Sequence, residues 1–377
     1  MNLLMKKVFV SQPYLGDEEK AALNGALAKG EISGFFGSAI REFEESFAKF
    51  SDCEYGVSTT SGTTALHLAL ATLKIGPGDE VLVQTFTNMA TFFAVLYQGA
   101  KPIPIDIEPD TWNINPSLIE RKITPKAKAI MVVHIYGHPV DMKPILEIAK
   151  KHNLFVIEDC AEAHGATYNG KKVGSLGDIG CFSFYANKII TTGEGGMITT
   201  NNKKFADRAR MLKSLAFGEK NKFMHQDIGY NYRMSNLQAA LGCAQMKKID
   251  FIIGKKREIA DFYLKAFRDV PELQLPVEKP YAKNVYWMFH IVLRGSVKGK
   301  REQVLRALNE KGIEARPAFI SFNGQEIFIG KGMAKKEDCP VANDVGENGF
   351  YIPSGPILSD EDLNYVADNL KEIVAGF

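Results

Sequence analysis

Lys188 closes the run Cys181-Phe182-Ser183-Phe184-Tyr185-Ala186-Asn187-Lys188 and precedes Thr192-Gly193-Glu194-Gly195-Gly196. An amine in so apolar a strand-to-loop setting loses hydration, which lowers its pKa and leaves the neutral form available for a Schiff base. A lysine taken at random is a solvated surface cation, so the assignment needs a second group. Leu154-Phe155-Val156-Ile157-Glu158-Asp159 reads as a buried strand ending in a carboxylate. A carboxylate there suits a protonated pyridine nitrogen, which is what makes that ring an electron sink. Together Lys188 and Asp159 point to pyridoxal 5'-phosphate.

A phosphate needs a cradle, and Thr60-Ser61-Gly62-Thr63-Thr64-Ala65-Leu66 places glycine and hydroxyls at a helix start. Free amides and the positive end of the helix dipole suit an anion there, although an ordinary N-cap has the same composition. Ser183, five residues before the lysine, adds a hydroxyl. Ala161 is small enough to pack under a planar ring, and Glu162 is in reach of a phenolic oxygen. His164 either touches substrate or is a satisfied loop histidine, the second being the commoner case. Gly229-Tyr230-Asn231-Tyr232-Arg233-Met234-Ser235-Asn236 is dense in donors ahead of a small-residue helix, where loops usually bind.

The elements that must position these groups alternate. Apolar runs at Glu80 to Val83, Pro102 to Asp106, Ala129 to His134, Phe155 to Glu158 and Gly180 to Phe184 are separated by helical periodicity, as at Pro144 to His152. Asp17 caps a helix ending near Gly30, and Ala65 to Leu73 reads as a helix packed closely on a sheet. The expected fold is α/β, a mostly parallel sheet covered on both faces. From Met246 to Phe267 a long charged helical stretch leads to Pro271, Pro276 and Pro280, the expected bridge to a second unit. The expected domains are 1–245, with the N-terminal segment, and a small α+β domain, 246–377, with a strand at Tyr286 to Leu293 and helices at Glu302 to Lys311 and Asp360 to Ala375.

The composition of 377 residues is that of an ordinary globular chain. A net charge of +2, from 46 basic and 44 acidic side chains, gives no field for nucleic acid or an anionic membrane. No run suits a membrane span or a signal peptide. Five scattered cysteines without a CxxC pair argue against disulfides and zinc and for a reducing cytoplasm. His134 and His138 are four apart, but Gly137 and Pro139 break any helical metal pair, so no metal is expected.

Four stretches carry a resemblance that spans nearly the whole chain: TTSGTTALHLAL, EDCAEAHGATYNGKKVGSLGD, FSFYANKIITTGEGGM and GYNYRMSNLQAALG. They resemble the DegT/StrS family of sugar aminotransferases, and HIYGHPVDM is most similar to members that aminate a nucleotide-linked 4-keto-6-deoxy sugar. The resemblance implies the fold-type I, aspartate aminotransferase-like architecture and a homodimer with shared active sites. It implies Lys188 as the Schiff-base lysine, Asp159 at the ring nitrogen and Glu162 near the phenolic oxygen. Gly62, Thr63 and Ser183 then hold the phosphate, with Asn231 reaching it from a second chain. Lysine rather than histidine at 188 argues against the deoxygenating branch.

Two departures bear on the substrate. Asn88 stands where the family usually has a ring stacked on the cofactor, and Asn323 stands near a histidine common in sugar-binding relatives. The expected donor is an amino acid, L-glutamate by resemblance, and the acceptor a keto sugar; Phe35, His164 and Asn323 are the other expected substrate-binding residues, with Arg233 and Arg316 for the donor carboxylate or an acceptor phosphate. Asn88 and Asn323 leave room for a small phosphorylated ketone instead. A non-catalytic cofactor-binding regulator is the remaining class, against which Lys188 and Asp159 both weigh.

Overall fold

The computed structural model describes residues 6–218, 221–225 and 227–377. Strands β1 (Tyr55–Thr59), β2 (Glu80–Gln84), β3 (Lys101–Ile105), β4 (Ala127–Val133), β5 (Phe155–Asp159), β6 (Thr167–Tyr168), β7 (Lys171–Lys172), β8 (Ile179–Ser183) and β9 (Gly196–Thr200) occupy the first half of the chain. All but the short β6 and β7 form one sheet, ordered β1-β9-β8-β5-β4-β2-β3. Pairings from β8 to β3 are parallel, and β9 runs against both its neighbours. The expected mostly parallel α/β sheet is present.

Helices α1 (Asp17–Ala28), α2 (Ala39–Phe50), α3 (Gly62–Thr72), α4 (Ala90–Tyr97), α5 (Met142–His152), α6 (Lys203–Lys213) and α7 (Asn236–Met246) pack around this sheet. The strands are buried on both faces, and their side chains alternate between two cores. Val81, Val83, Ala129, Met131 and Ile157 meet α3, α4 and α6, whereas Leu82, Ile130, Val132 and Val156 meet α5. Phe43 and Phe47 of α2 close on Phe182 and Phe184 beside β8.

The C-terminal part comprises α8 (Ile249–Ala266), β10 (Leu273–Gln274), β11 (Ala282–Lys283), β12 (Phe289–Leu293), α9 (Arg301–Glu310), β13 (Arg316–Pro317), α10 (Glu326–Gly330), α11 (Pro340–Asn348), β14 (Gly349–Ile352) and α12 (Asp360–Ala375). Its sheet, β10-β12-β14-β13, is antiparallel and packs on α8, α9 and α12 through Tyr263, Phe289, Leu308 and Val366.

Several expectations need correction. The N-terminal segment is divided: Val8 bridges Ile313, its N–H donating to Gly312 O at 2.9 Å, whereas Tyr14 O accepts from Gln245 Nε2 of α7 at 2.9 Å. The helix expected over 246–267 runs from Ile249 to Ala266, Met246 being the last residue of α7. Gly16, not Asp17, is the N-cap of α1. The strand expected from Tyr286 starts at Phe289, because Tyr286 has φ 47° and Trp287 N–H donates to Tyr136 O at 2.9 Å. Strands β1 and β9 gave no apolar signal. Their buried hydroxyls are bonded instead: Thr199 Oγ1 donates to Gly174 O at 2.9 Å, and Ser58 Oγ to Glu44 at 2.8 Å.

Glu158, fully buried in β5, ties this sheet to the segment before β8. It accepts from the N–H groups of Gly174, Leu176 and Gly177 at 2.7–2.9 Å and pairs with His134 Nε2 at 3.0 Å. His134 Nδ1 accepts from Val140 N–H at 3.0 Å, so its Nε2–H is the donor. His134 and Glu158, with Cys160 beside them, are therefore satisfied structural groups. Glu158→Ala leaves these donors buried without an acceptor and should lose about 3 kcal/mol of stability, read from urea unfolding at neutral pH.

Candidate active site

Asp159 ends β5, Ser183 ends β8, and the segment Thr85 to Asn88 follows β2, so these groups gather at the carboxyl ends of parallel strands. That is where open α/β sheets place their ligand crevice. A cleft of about 290 Å³ lies there, lined among others by Gly62, Thr63, Asn88, Asp159, Glu162, Ser183 and Lys188. Ser61 caps α3, accepting Thr64 N–H at 3.2 Å, and leaves the first amides of the helix facing the cleft. Gly62 has a steric reason: a Cβ there would stand 2.7 Å from Ser183 Cβ. The glycine lets the helix start and the serine approach each other.

Lys188 sits in the turn between β8 and β9 with its side chain 11% exposed, and its Nζ is 4.0 Å from Glu162 Oε1. Burial lowers its pKa, opposed by the charges of Glu162 and Asp159. Burial raises Asp159, against the Ala161 N–H at 3.1 Å, the Thr91 hydroxyl at 2.9 Å and the Lys188 charge. Glu162 is pushed up to about 7 by burial, while Lys188 and the Tyr136 N–H at 2.7 Å pull it down. Tyr136 holds that N–H in place with left-handed backbone, φ 51°. The cleft thus combines an amine that sheds its proton readily with two carboxyls that keep theirs unusually well. A cation next to Asp159 would restore its ionised form.

Motif reading missed several lining residues. Thr87 Oγ1 lies 3.0 Å from Thr91 Oγ1, which donates to Asp159, so this pair orients the carboxylate. Trp287, Phe319 and Tyr351 come from the C-terminal third to wall the cleft. The Trp287 ring centroid is 3.7 Å from Lys188 Nζ, and its Nε1–H donates to Asn187 O at 2.8 Å. Trp287 is one of two tryptophans in the chain, the one composition cue that it differs from its neighbours.

Residues 13–371 match the model of the DegT/DnrJ/EryC1/StrS aminotransferase family. The chain belongs to this family. It is 44% identical over 368 residues to the GDP-perosamine synthase of Escherichia coli O157:H7, covering 98% of this chain and 99% of that protein. The GDP-perosamine synthase of Caulobacter vibrioides is 39% identical over 374 residues, covering 98% and 99%. Among solved structures, Streptomyces venezuelae DesV in complex with a ketimine intermediate has 32% identity and a TM-score of 0.89, covering 95% of this chain and 94% of that one. The aminotransferase fold is therefore present from end to end, and the family's cofactor is pyridoxal phosphate. The cleft has the groups for it: a buried amine, a buried carboxyl in want of a cation, and a helix start that only glycine lets close.

Of the other expected site residues, Asn88 lines the cleft, whereas Asn323, Arg316, Phe35, Arg233 and Asn231 do not. Asn88 is exposed at its edge, and its Oδ1 accepts the Ala90 N–H at 3.0 Å, capping the turn into α4. Asn323 is fully buried, where it accepts from Thr85 Oγ1 and donates to Lys335 O, both at 2.8 Å. Arg316 pairs with Glu314 through Nε at 2.7 Å and stands opposite Tyr351 on β14, beside the cleft. Phe35 and Arg233 do meet, ring centroid to guanidinium at 4.5 Å, but away from this chain's own cleft. Asn231 is exposed, in a bridge with Ser214.

His164 is also corrected. Its ring is fully buried among Phe47, Phe182 and Phe184, and neither nitrogen has a hydrogen-bond partner. Burial and the Lys188 charge depress its pKa to about 3 from 6.5. Between those values the unfolded chain binds the proton and the folded chain does not, so stability is lost as pH falls through this window. His164→Phe removes that loss. Urea unfolding should show it stabilised at pH 5 relative to pH 8 by about 1–2 kcal/mol.

Proposed function

We propose that this aminotransferase moves an amino group from L-glutamate to the keto group of a nucleotide-linked 4-keto-6-deoxy sugar, as a perosamine synthase does. The observation that carries the reading is the Lys188 amine, pKa lowered, 4.0 Å from Glu162 in a cleft shared with Asp159. Its 44% identity to a GDP-perosamine synthase over 98% of the chain supports the acceptor class. Asn323 no longer argues for a small phosphorylated ketone, because it is buried away from the cleft.

In this reading pyridoxal phosphate supplies, when bound, the carbonyl that receives the nitrogen and the ring that spreads the developing negative charge. Gly62, Thr63 and Ser183 would hold its phosphate at the start of α3, with Asn88 at the edge of the same cleft. Asp159, oriented by Thr91, holds the ring nitrogen protonated, and Glu162 lies on the phenolic oxygen side. Lys188 Nζ takes the proton from the donor's α-carbon and later returns one at the acceptor's former keto carbon, as general base and then acid. Burial, which lowers its pKa, favours the neutral base. The cleft walls of Trp287, Phe319 and Tyr351 limit water.

The reading includes a homodimer in which Asn231 of one copy reaches the phosphate site of the other, with Phe35 and Arg233 delivered beside it to grip the acceptor. Arg316, at the rim next to Tyr351, is placed for the donor carboxylate. The small unit begins near residue 246, and its Trp287, Phe319 and Tyr351 complete the site. No helix of the described residues is long and apolar enough to cross a membrane, and the five free cysteines suit a reducing cytoplasm.

The test is release of 2-oxoglutarate from glutamate with a GDP- or UDP-linked 4-keto-6-deoxy sugar, against a small keto phosphate. Turnover of the keto phosphate alone would overturn the acceptor class. Lys188→Ala should abolish turnover and the visible cofactor band, and Asp159→Asn should lower kcat about a hundred- to thousandfold. Mixing Lys188→Ala with Asn231→Ala protein should restore part of the activity, since hybrid dimers contain one intact site. Additive inactivity after subunit exchange would sink the shared-site reading.

A further inference from the structure

Lys256 is buried in α8 with its amine facing no carboxylate among the described residues, unlike the buried Lys213, whose amine meets Glu44 at 2.7 Å. An unpaired ammonium in such a place is costly, and burial draws its pKa down to about 7. What it holds is specific: Nζ donates to Trp287 O and to Ser354 O, each at 2.7 Å. Ser354 in turn accepts the Phe289 N–H at 3.3 Å, so both carbonyls belong to the entry of β12 and the exit of β14.

Trp287 is gripped on all sides. Its N–H donates to Tyr136 O at 2.9 Å, its carbonyl accepts from Lys256, and its indole N–H donates to Asn187 O at 2.8 Å. The remaining feature is the ring face, and Lys188 Nζ lies 3.7 Å from its centroid. An indole face is the best side-chain surface for a desolvated ammonium. The same residue that receives the Lys256 bond therefore cups the amine of Lys188.

We propose that Trp287 is a further residue of the reacting centre, whose ring face receives the Lys188 ammonium, and that Lys256 is the positioning residue that fixes this ring. The face is the resting place of the amine whenever it carries a proton and is not bonded elsewhere. This rests on Lys188 being the reacting amine, but its test needs no cofactor. Other titrating groups lie around the same space: Asp159 of β5, Glu162 after it, Tyr136 after β4 and Tyr351 of β14, with His164 behind it in the aromatic core yet within reach of the Lys188 charge. A control lacking the Lys188 amine separates their effects.

With two tryptophans in the chain, 5-fluorotryptophan labelling gives two ¹⁹F resonances, assigned by the loss of one in Trp287→Phe. On cofactor-free protein, the Trp287 resonance should move with pH and lose that movement in Lys188→Met, while Trp112 behaves alike in both. A Trp287 resonance that does not titrate, or titrates equally in Lys188→Met, overturns the proposal whatever the cofactor assays give. Lys256→Met should reduce the Lys188-dependent movement at least twofold, and Lys256→Gln, which keeps a shorter donor, should lie between it and the parent. Full movement in Lys256→Met overturns the positioning role. If that variant does not fold, Lys256→Gln decides, full movement again overturning it.

Discussion

Keeping an amine and two carboxyls together out of water is the constraint on which the rest of this molecule depends. Each group is individually unfavourable where it stands, since burial penalises every one of their charged forms. Asp159 is stabilised by one backbone and one hydroxyl donor, Glu162 by one backbone donor, and Lys188 by the two carboxyls and an indole face. Burial and mutual attraction act in opposite directions on all three. The result is a set of groups whose proton affinities lie closer together than those of the free side chains, which is what proton exchange near neutrality requires. The parallel strands contribute rigid ends from which these side chains project without freedom to drift apart.

Much of this was legible in the sequence, because it is local. An apolar run ending in Asp159, a glycine between hydroxyls at Gly62 and a lysine after an aromatic run are each contiguous signals. Trp287, Phe319, Tyr351 and Thr91 had no such signal: the first three reach the cleft from sequence positions more than ninety residues beyond Lys188. Position near a motif also misled. His164 lies two residues past Glu162, yet its ring turns into the α2 aromatic core rather than the cleft. Asn323 lies four past Phe319, and its amide is taken up joining Thr85 to Lys335. Strands β1 and β9 were hidden because hydroxyls and glycines fill them, and only the folded context shows those hydroxyls bonded.

In the proposed reading, reaction type and acceptor choice fall to different parts of the chain. The groups that could move protons, Asp159 at the end of β5, Glu162 just after it and Lys188 in the β8–β9 turn, lie within one copy. Phe35 and Arg233 lie elsewhere, in a region with exposed aromatic surface: Phe36 is 73% and Phe223 78% exposed. Exposure on that scale around a cation–aromatic pair is unusual for a finished surface and suits a face completed by another molecule.

The antiparallel strand β9 has a consequence for how the molecule comes together. Because β9 returns directly beside β8, the turn bearing Lys188 is closed by neighbours in sequence, with Phe184 N–H bonded to Gly195 O at 2.8 Å. Local closure of this kind forms early and at small entropic cost. Trp287 and Tyr351, by contrast, arrive only when the last third of the chain has been made and docked. A nascent chain would therefore display its reactive amine before the walls that shelter it exist, and burial of Lys188 marks completion of the fold rather than its beginning.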